Sequence, residues 1–372
     1  MVRWIKIWFC FFILLVAVAC DGGDGTSIKG KITNLEYPYI VASYLSGDTL
    51  AIDTIRVDSR GRFVYKNNLD TLTTISFHLN NYESAAVVFA NNGEKITIEG
   101  DARLPDLIKV NGNEINDDIT SFKISNLELL TQRGQLLENL LREKEADSVV
   151  NNTLAHREEM AKLNVLNHEL TLKAEDYIKE HPGKLSSLIL IGNFFMDSDN
   201  SQGLERVLGY LEGDVTKTQL AARLQSYSEK MKRSAEGAPV PYFKLTDKDG
   251  AEIYSYNFNG KYLLLSFIST VGIESRETVE LLKNEYAAMD KDSVAFLTIY
   301  IDSDIYPIEY VENDSIPWTV IPEKQSWGSD IVETFNVQFV PFNLLVSPGQ
   351  TIKVRNLPAQ NVKTAVTSTA EK

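Results

Sequence analysis

Thiol and imidazole groups carry much of the redox and nucleophilic chemistry of proteins, and both are scarce in this chain of 372 residues. It has two cysteines, Cys10 and Cys20, and four histidines, the last of which is His181. Disulfide exchange requires a thiolate. A serine attacks only when a neighbouring base takes its proton. The sequence beyond His181 therefore offers neither a thiol nor an imidazole base.

The N-terminus has the pattern of a signal peptide. Arg3 and Lys6 precede an apolar run over residues 7–19. This run is too short to span a bilayer as a mature helix and has the length of a signal-peptide core. Residues 1–19 are therefore predicted to be a signal peptide that is removed on export.

The segment Val16-Ala17-Val18-Ala19-Cys20 resembles a bacterial lipobox. The resemblance implies that Cys20 carries the lipid attachment and that residues 20–27 form a lipidated tether to a membrane. Ala17-Val18-Ala19 also fits ordinary secretory cleavage, so the choice of signal peptidase stays open. Cys10 is removed with the signal peptide. With Cys20 acylated, the mature chain has no free thiol. We predict a location in the cell envelope, on the periplasmic or surface face of the outer membrane.

Composition sets limits on partners. Hydrophobic residues make up 44% of the chain and charged residues 24%, which are ordinary globular proportions. The net charge is -14, and it becomes -16 when Arg3 and Lys6 are removed with the signal. Such acidity argues against nucleic acid as a partner, and the chain has no glycine-rich phosphate loop for a nucleotide. His156 and His168 lie too far apart along a helix to share an ion, so no metal or other cofactor is predicted.

Three patterns follow one another along the chain, and together they predict an α+β multidomain protein. Residues 28–112 alternate apolar and polar residues in short runs, which predicts an antiparallel β-sandwich domain. Residues 113–236 have apolar residues at helical spacing, and His181-Pro182-Gly183 predicts the end of one helix. Residues 237–372 alternate strands with helices, which predicts an α/β domain with a mixed sheet.

The C-terminal part resembles the thioredoxin-like domains of envelope thiol-disulfide oxidoreductases and of their peroxiredoxin relatives. Three segments carry the resemblance, in the family's order: Ala238-Pro239-Val240-Pro241-Tyr242-Phe243-Lys244-Leu245-Thr246-Asp247, Asn259-Gly260-Lys261-Tyr262-Leu263-Leu264-Leu265-Ser266-Phe267, and Asn336-Val337-Gln338-Phe339-Val340-Pro341-Phe342-Asn343-Leu344-Leu345-Val346. Residues 28–236 resemble the uncharacterised regions that precede such domains in Bacteroidetes-type envelope lipoproteins. These similarities imply a C-terminal thioredoxin-like fold.

The redox turn of that family is degenerate in this sequence. Where the family has a Cys-x-x-Cys motif, the chain has Gly272 and Ser275 in register. Gly272 has no nucleophile and Ser275 has no histidine partner, so neither disulfide exchange nor peroxidase chemistry is expected. We interpret the domain as redox-inactive, with no catalytic residues.

The resemblance also implies a cis peptide bond before Pro341. In the family this loop aligns an extended peptide beside the redox turn. Two interpretations of Val340, Pro341 and Phe342 are open. In the first, the proline is present only because the fold requires that turn. In the second, a groove formed by Ser269–Ser275 and Val340–Phe342 holds a peptide by strand addition.

The resulting functional prediction is a non-redox envelope lipoprotein that binds or scaffolds a peptide or an envelope protein. The first alternative is a thiol-disulfide oxidoreductase or a peroxiredoxin-type antioxidant enzyme, which requires thiols supplied by another protein. The second alternative is a lipoprotein that binds glycan or another surface component.

Overall fold

The computed structural model describes residues 25–80, 84–146, 154–196, 200–306 and 316–368. The predicted signal peptide, Cys20 and most of the predicted tether lie outside the described residues. The chain divides into two compact units, the first ending at Leu166 and the second beginning at Asn167. The three-part division at residues 112 and 236 stays a prediction.

The described residues of the first unit form two four-stranded sheets, with the strand orders β4-β1-β7-β8 and β3-β2-β5-β6. The strands are β1 (Thr26–Thr33), β2 (Tyr39–Ser46), β3 (Thr49–Arg56), β4 (Arg62–Asn67), β5 (Thr73–Leu79), β6 (Ser84–Ala90), β7 (Lys95–Asp101) and β8 (Lys109–Asn111).

One apolar core lies between these two sheets. Ile28 and Ile96 enter it from one sheet, and Ile40 and Phe77 enter it from the other. Burial alternates along each strand because successive side chains point to opposite faces. The apolar residues of the alternating pattern, from which the sandwich was predicted, therefore lie on the strand faces that the core covers.

The sandwich is not purely antiparallel, and this corrects the prediction. β1 and β7 pair in parallel, with Ile28 opposite Ile96. Between these two strands the chain passes back and forth from one sheet to the other. Because β1 and β7 are not consecutive strands, no hairpin forces them to run in opposite directions.

In the part of the chain predicted to be helical, the described residues form six α-helices: α1 (Glu114–Ser125), α2 (Leu127–Ala146), α3 (Leu154–Glu180), α4 (Leu185–Phe194), α5 (Ser201–Leu208) and α6 (Gln219–Arg233). The predicted stop at His181-Pro182-Gly183 is confirmed, since α3 ends at Glu180 and α4 begins at Leu185. Within the described residues, no helix combines the length and apolarity needed to cross a membrane.

The C-terminal part of the second unit contains a hairpin and a five-stranded sheet in the order β13-β12-β11-β14-β15. β11, β12 and β13 are parallel, and β14 runs antiparallel to β11 and to β15. The elements are the hairpin β9 (Lys244–Thr246) and β10 (Glu252–Tyr254), then β11 (Tyr262–Ile268), α7 (Ile273–Ala287), β12 (Val294–Tyr300), β13 (Thr319–Pro322), α8 (Asp330–Thr334), β14 (Phe342–Val346), β15 (Ile352–Val354) and α9 (Val362–Thr367).

Helices cover both faces of this five-stranded sheet. Leu264 and Phe296 pack with Leu282 of α7 and Val362 of α9 on one face. On the other face, Phe267 packs in a cluster that includes residues of α8 and of the β9–β10 hairpin. The central strands are mostly apolar because neither of their faces reaches water. The predicted α+β class is confirmed by this mixture of sheets and helices.

A buried carboxylate links the helices at the start of the second unit. Glu175 of α3 accepts two hydrogen bonds from the guanidinium of Arg206, at 3.0 and 2.8 Å. It also pairs with Lys179 at 3.0 Å and accepts a hydrogen bond from Tyr210. The hydrogen bonds from Arg206 contribute most to lowering the pKa of Glu175, from 4.5 to about 2.

We expect Glu175→Gln to lower the free energy of unfolding at neutral pH by roughly 2 kcal/mol. Because the folded-state pKa lies below the ordinary value, the contribution is complete above pH 4.5 and is lost as the pH falls towards 2. Urea unfolding at several pH values measures both effects. Glu229→Gln, an exposed change on α6, is the control. Equal acid sensitivity of the Glu175→Gln and native proteins would contradict the assignment.

Candidate functional site

The candidate site lies where β11 passes into α7. Residues 269–272 form the turn, and Gly272 is the N-terminal cap of α7. Because β11 and β12 are adjacent and parallel, the residue that follows β12 by two positions, Asp302, comes to the same edge of the sheet. Antiparallel β14 begins at this edge, and Pro341 and Val340 precede it. The topology therefore brings the predicted site residues of both segments to one end of the sheet.

The Asp302 carboxylate holds the turn. It accepts hydrogen bonds from the Ser269 hydroxyl at 2.5 Å and from the Thr270 hydroxyl at 2.8 Å. The backbone N–H of Thr270 donates to both carboxylate oxygens, at 2.8 and 3.1 Å. Hydrogen bonds to a charged acceptor are stronger than neutral ones. The conformation of the turn is thus fixed by Asp302, a residue that no motif in the sequence indicates.

The Ser269 hydroxyl extends the network to the start of α7. Its oxygen accepts hydrogen bonds from the backbone N–H groups of Val271 and Gly272, both at 3.3 Å. The first N–H groups of a helix have no partner within the helix. Ser269 therefore supplies an acceptor near the N-terminus of α7.

Ser275 has a structural role in this arrangement. Its side chain is only 2% exposed, and its hydroxyl oxygen accepts a hydrogen bond from the backbone N–H of Ser269 at 3.0 Å. A nucleophilic serine needs a base at its hydroxyl and access for a substrate. The geometry of Ser275 matches neither requirement.

Gly272 and Ser275 are placed as a pair of cysteines would be. A β-carbon built on Gly272 lies 3.5 Å from the Cβ of Ser275. This separation falls within the range of about 3.5–4.5 Å found in disulfides. The φ angle of Gly272 is -70°, which any residue adopts. The backbone of the turn is therefore compatible with a pair of cysteines at positions 272 and 275.

The second predicted segment begins with a cis peptide bond between Val340 and Pro341. Val340 is partly buried and packs against the core. Phe342 pairs with Phe267 across β14 and β11, and its side chain is 1% exposed. A bound peptide could not contact the ring of Phe342, so any contribution of this residue to a groove is limited to its backbone.

Exposed apolar side chains surround this end of the sheet. We call them the turn patch: Val271, Ile273, Ile305, Tyr306 and Phe339. Val271 and Ile273 belong to the turn, and Tyr306 donates its N–H to the carbonyl of Asp302 at 2.9 Å. The ring of Phe339 packs edge-on against Phe342. Large apolar groups gathered at one edge are typical of an interaction surface.

Asp302 is the functional position that motif reasoning missed. The sequence does contain a signal for it, because an acidic residue follows the buried strand Val294–Tyr300 directly after Ile301. Such positions at the carboxyl ends of parallel strands commonly line sites. Among the described residues, no group of three or more His, Cys, Asp or Glu side chains is arranged to hold a metal ion.

Different parts of the chain are similar to different known proteins. The family described as Domain of unknown function (DUF4369) matches residues 26–119, which include both sheets of the first unit. No curated protein matches the chain.

Three of the solved structures with a similar fold come from Bacteroides species. The thioredoxin domain of a thiol-disulfide oxidoreductase from Bacteroides vulgatus is 20% identical, with a TM-score of 0.33, over 36% of this chain and 96% of that one. A thiol-disulfide oxidoreductase from Bacteroides fragilis is 21% identical, with a TM-score of 0.31, over 35% and 98%. A thioredoxin-like protein from Bacteroides caccae is 16% identical, with a TM-score of 0.42, over 60% and 87%. The assignment of the site rests on the strand order and contacts described above.

We expect Asp302→Ala to loosen the turn while leaving the sheet intact. Removing the carboxylate leaves the Thr270 N–H without its acceptor, so its hydrogen exchange should accelerate by about tenfold or more. Exchange measured by NMR or mass spectrometry resolves the effect. Asp304→Ala, an exposed change two residues away, should leave the rate unchanged. Unaltered exchange at Thr270 in Asp302→Ala would show that the carboxylate does not hold the turn.

Proposed function

We propose that this protein is a non-redox lipoprotein of the cell envelope whose C-terminal domain binds an extended segment of a peptide or protein partner. The observation that carries the proposal is the turn itself. The Cβ positions at residues 272 and 275 have the spacing of a cysteine pair, but the residues there are Gly272 and Ser275, and neither contains sulfur. Hydrogen bonds to Asp302 fix the turn.

The absence of sulfur is a property of the sequence, in which the cysteines are at positions 10 and 20 only. Disulfide exchange begins with a thiolate and passes through a mixed disulfide, so it needs a sulfur atom at the attacking position. Peroxide reduction begins with oxidation of a thiolate to a sulfenic acid. Neither reaction can start at Gly272 or at the buried hydroxyl of Ser275.

Peptide binding is supported by the main chain next to the turn patch. Among the described residues, the backbone N–H and C=O groups of Phe339 and Val340 have no hydrogen-bond partner. Strand addition uses such groups to pair with an extended peptide, while apolar side chains alongside provide specificity. The exposed rings and aliphatic groups of the turn patch lie where side chains of that peptide would project.

The second candidate function is thiol-disulfide exchange. Two of the similar solved structures are named thiol-disulfide oxidoreductases, and these names favour the enzymatic alternative over the binding function. For this chain, the enzymatic alternative requires that a partner supply the thiols. Insulin reduction by the purified protein tests the non-redox proposal, because activity above the buffer blank would overturn it.

Restoring sulfur tests how much of the redox geometry the turn retains. We expect the double variant Gly272→Cys with Ser275→Cys to form an internal disulfide, detected as a loss of about 2 Da from the intact mass, because the Cβ separation suits one. The oxidised variant should be reducible by dithiothreitol, and each single variant is a control that cannot form the bond. A double variant that keeps two free thiols under oxidising conditions would contradict the spacing argument.

Binding is tested with a photo-crosslinking amino acid at Ile273, which is 69% exposed. In native membranes we expect discrete adducts from this position, and Phe339→Asp should reduce their yield at least fivefold, since it places a charge in the apolar contact. The same crosslinker at Leu281, an exposed residue farther along α7, is the matched control. Adducts that are identical at both positions, or insensitive to Phe339→Asp, would count against the turn patch as the binding surface.

A further inference from the structure

The start of β1 identifies one end of the sandwich. The Thr26 hydroxyl donates to the carbonyl of Asn91 at 2.5 Å, and the Ser27 N–H donates to the carbonyl of Glu94 at 2.9 Å. The loop between β6 and β7 therefore lies at the end where the described chain of the first unit begins. We call this the N-terminal end of the sandwich.

The β2–β3 hairpin turns at the same end. β1 leads away from the N-terminal end, and β2 leads back towards it after the connection at residues 34–38. β5 is antiparallel to β2 and is preceded by the loop at residues 68–72. A β-carbon on Gly25 would lie against Asn68, which places this loop beside the start of the chain. The turn at residues 47–48 therefore shares the N-terminal end with the 68–72 and 91–94 loops.

Exposed aliphatic residues lie at this turn. Leu45 and Leu50 are cross-strand partners, and they are 61% and 59% exposed. Ile52 follows on the same face of β3 and is 62% exposed. Leu72, in the neighbouring loop, is also exposed. The inner face of the same hairpin is buried through Ile40 and Ala42, so these residues form an apolar outer surface at one end of the unit.

The position of Cys20 identifies what would cover this surface. Thr26 lies six positions after Cys20, and a chain of six residues spans at most about 20 Å. An acyl chain at Cys20 would therefore hold the N-terminal end of the sandwich close to the lipid surface. Tethering on this scale raises the effective concentration of a weak contact, so a few aliphatic side chains suffice for docking.

We propose that the hairpin surface formed by Leu45, Leu50 and Ile52 docks shallowly on the lipid surface to which Cys20 is anchored. The inference rests on the proposed lipid anchoring. Apolar side chains enter the boundary between headgroups and acyl chains, while Asp48 at the turn stays in water at the headgroup level. Docking of this kind fixes the orientation of the sandwich on the membrane.

The test uses the full mature chain, purified with its native modification and reconstituted in vesicles of phosphatidylcholine and phosphatidylglycerol. With Cys20 acylated, Leu50→Cys provides one thiol for a nitroxide spin label. We expect the label at position 50 to be relaxed more by oxygen than by a water-soluble nickel chelate. Adding Leu45→Asp should lower the inserted fraction by about tenfold, because it removes a buried aliphatic group and adds a charge. Val64→Cys labels an equally exposed aliphatic position on the other sheet and should remain accessible to nickel.

Each outcome decides something different. An intact mass without acyl chains would overturn the anchoring and this docking with it. An acylated protein whose label at position 50 is as accessible to nickel as the label at position 64 would overturn the docking alone. A label at position 50 that is shielded from both reagents would indicate a protein partner or a second copy and would also overturn contact with lipid.

Discussion

The carboxylate of Asp302 is the constraint on which the C-terminal site depends. It lies just beyond β12 and accepts hydrogen bonds from Ser269 and Thr270, just beyond β11. A strand-to-helix turn of this kind leaves backbone N–H groups in need of acceptors. The Asp302 carboxylate and the Ser269 hydroxyl supply these acceptors, so the ends of two strands and the start of α7 share one hydrogen-bond network. The position of the turn patch follows from this network, because its residues are neighbours of the bonded groups.

A buried cation, Arg355, also holds several chain segments together. Arg355 is 8% exposed and donates to the carbonyls of Ser234, Phe335 and Asn336. These carbonyls follow the ends of α6 and α8, where helix C-termini carry partial negative charge. The guanidinium also lies over the ring of Phe342. One side chain thereby ties the last of the middle helices to the sheet, consistent with the assignment of α6 and the sheet to one compact unit.

The sequence alone predicts the elements in which buried residues follow one another without interruption. The alternation of strands and helices predicted for residues 237–372 includes β11 and β14, whose runs of buried, mostly apolar residues can be recognised in the sequence. β13 is harder to recognise, because Thr319–Pro322 is only four residues long. The parallel pairing of β1 with β7 was missed, because alternation fixes the face of a residue but says nothing of the direction of its neighbour. Motif matching located Gly272 and Ser275, but it could not find Asp302, whose role depends on the adjacency of two strands.

The carboxylate of Asp302 also sets the electrostatics of the turn. A reactive thiol needs its thiolate stabilised, and an N-terminal helix end does so by its partial positive charge. Here Asp302 hydrogen-bonds to the same Ser269 hydroxyl that accepts from the Gly272 N–H. A negative group so close would raise the pKa of any thiol at position 272, since like charges disfavour the ionised form. The network that fixes the turn therefore favours neutral residues at its tip. A carboxylate at this position therefore opposes the formation of the thiolate on which disulfide exchange depends.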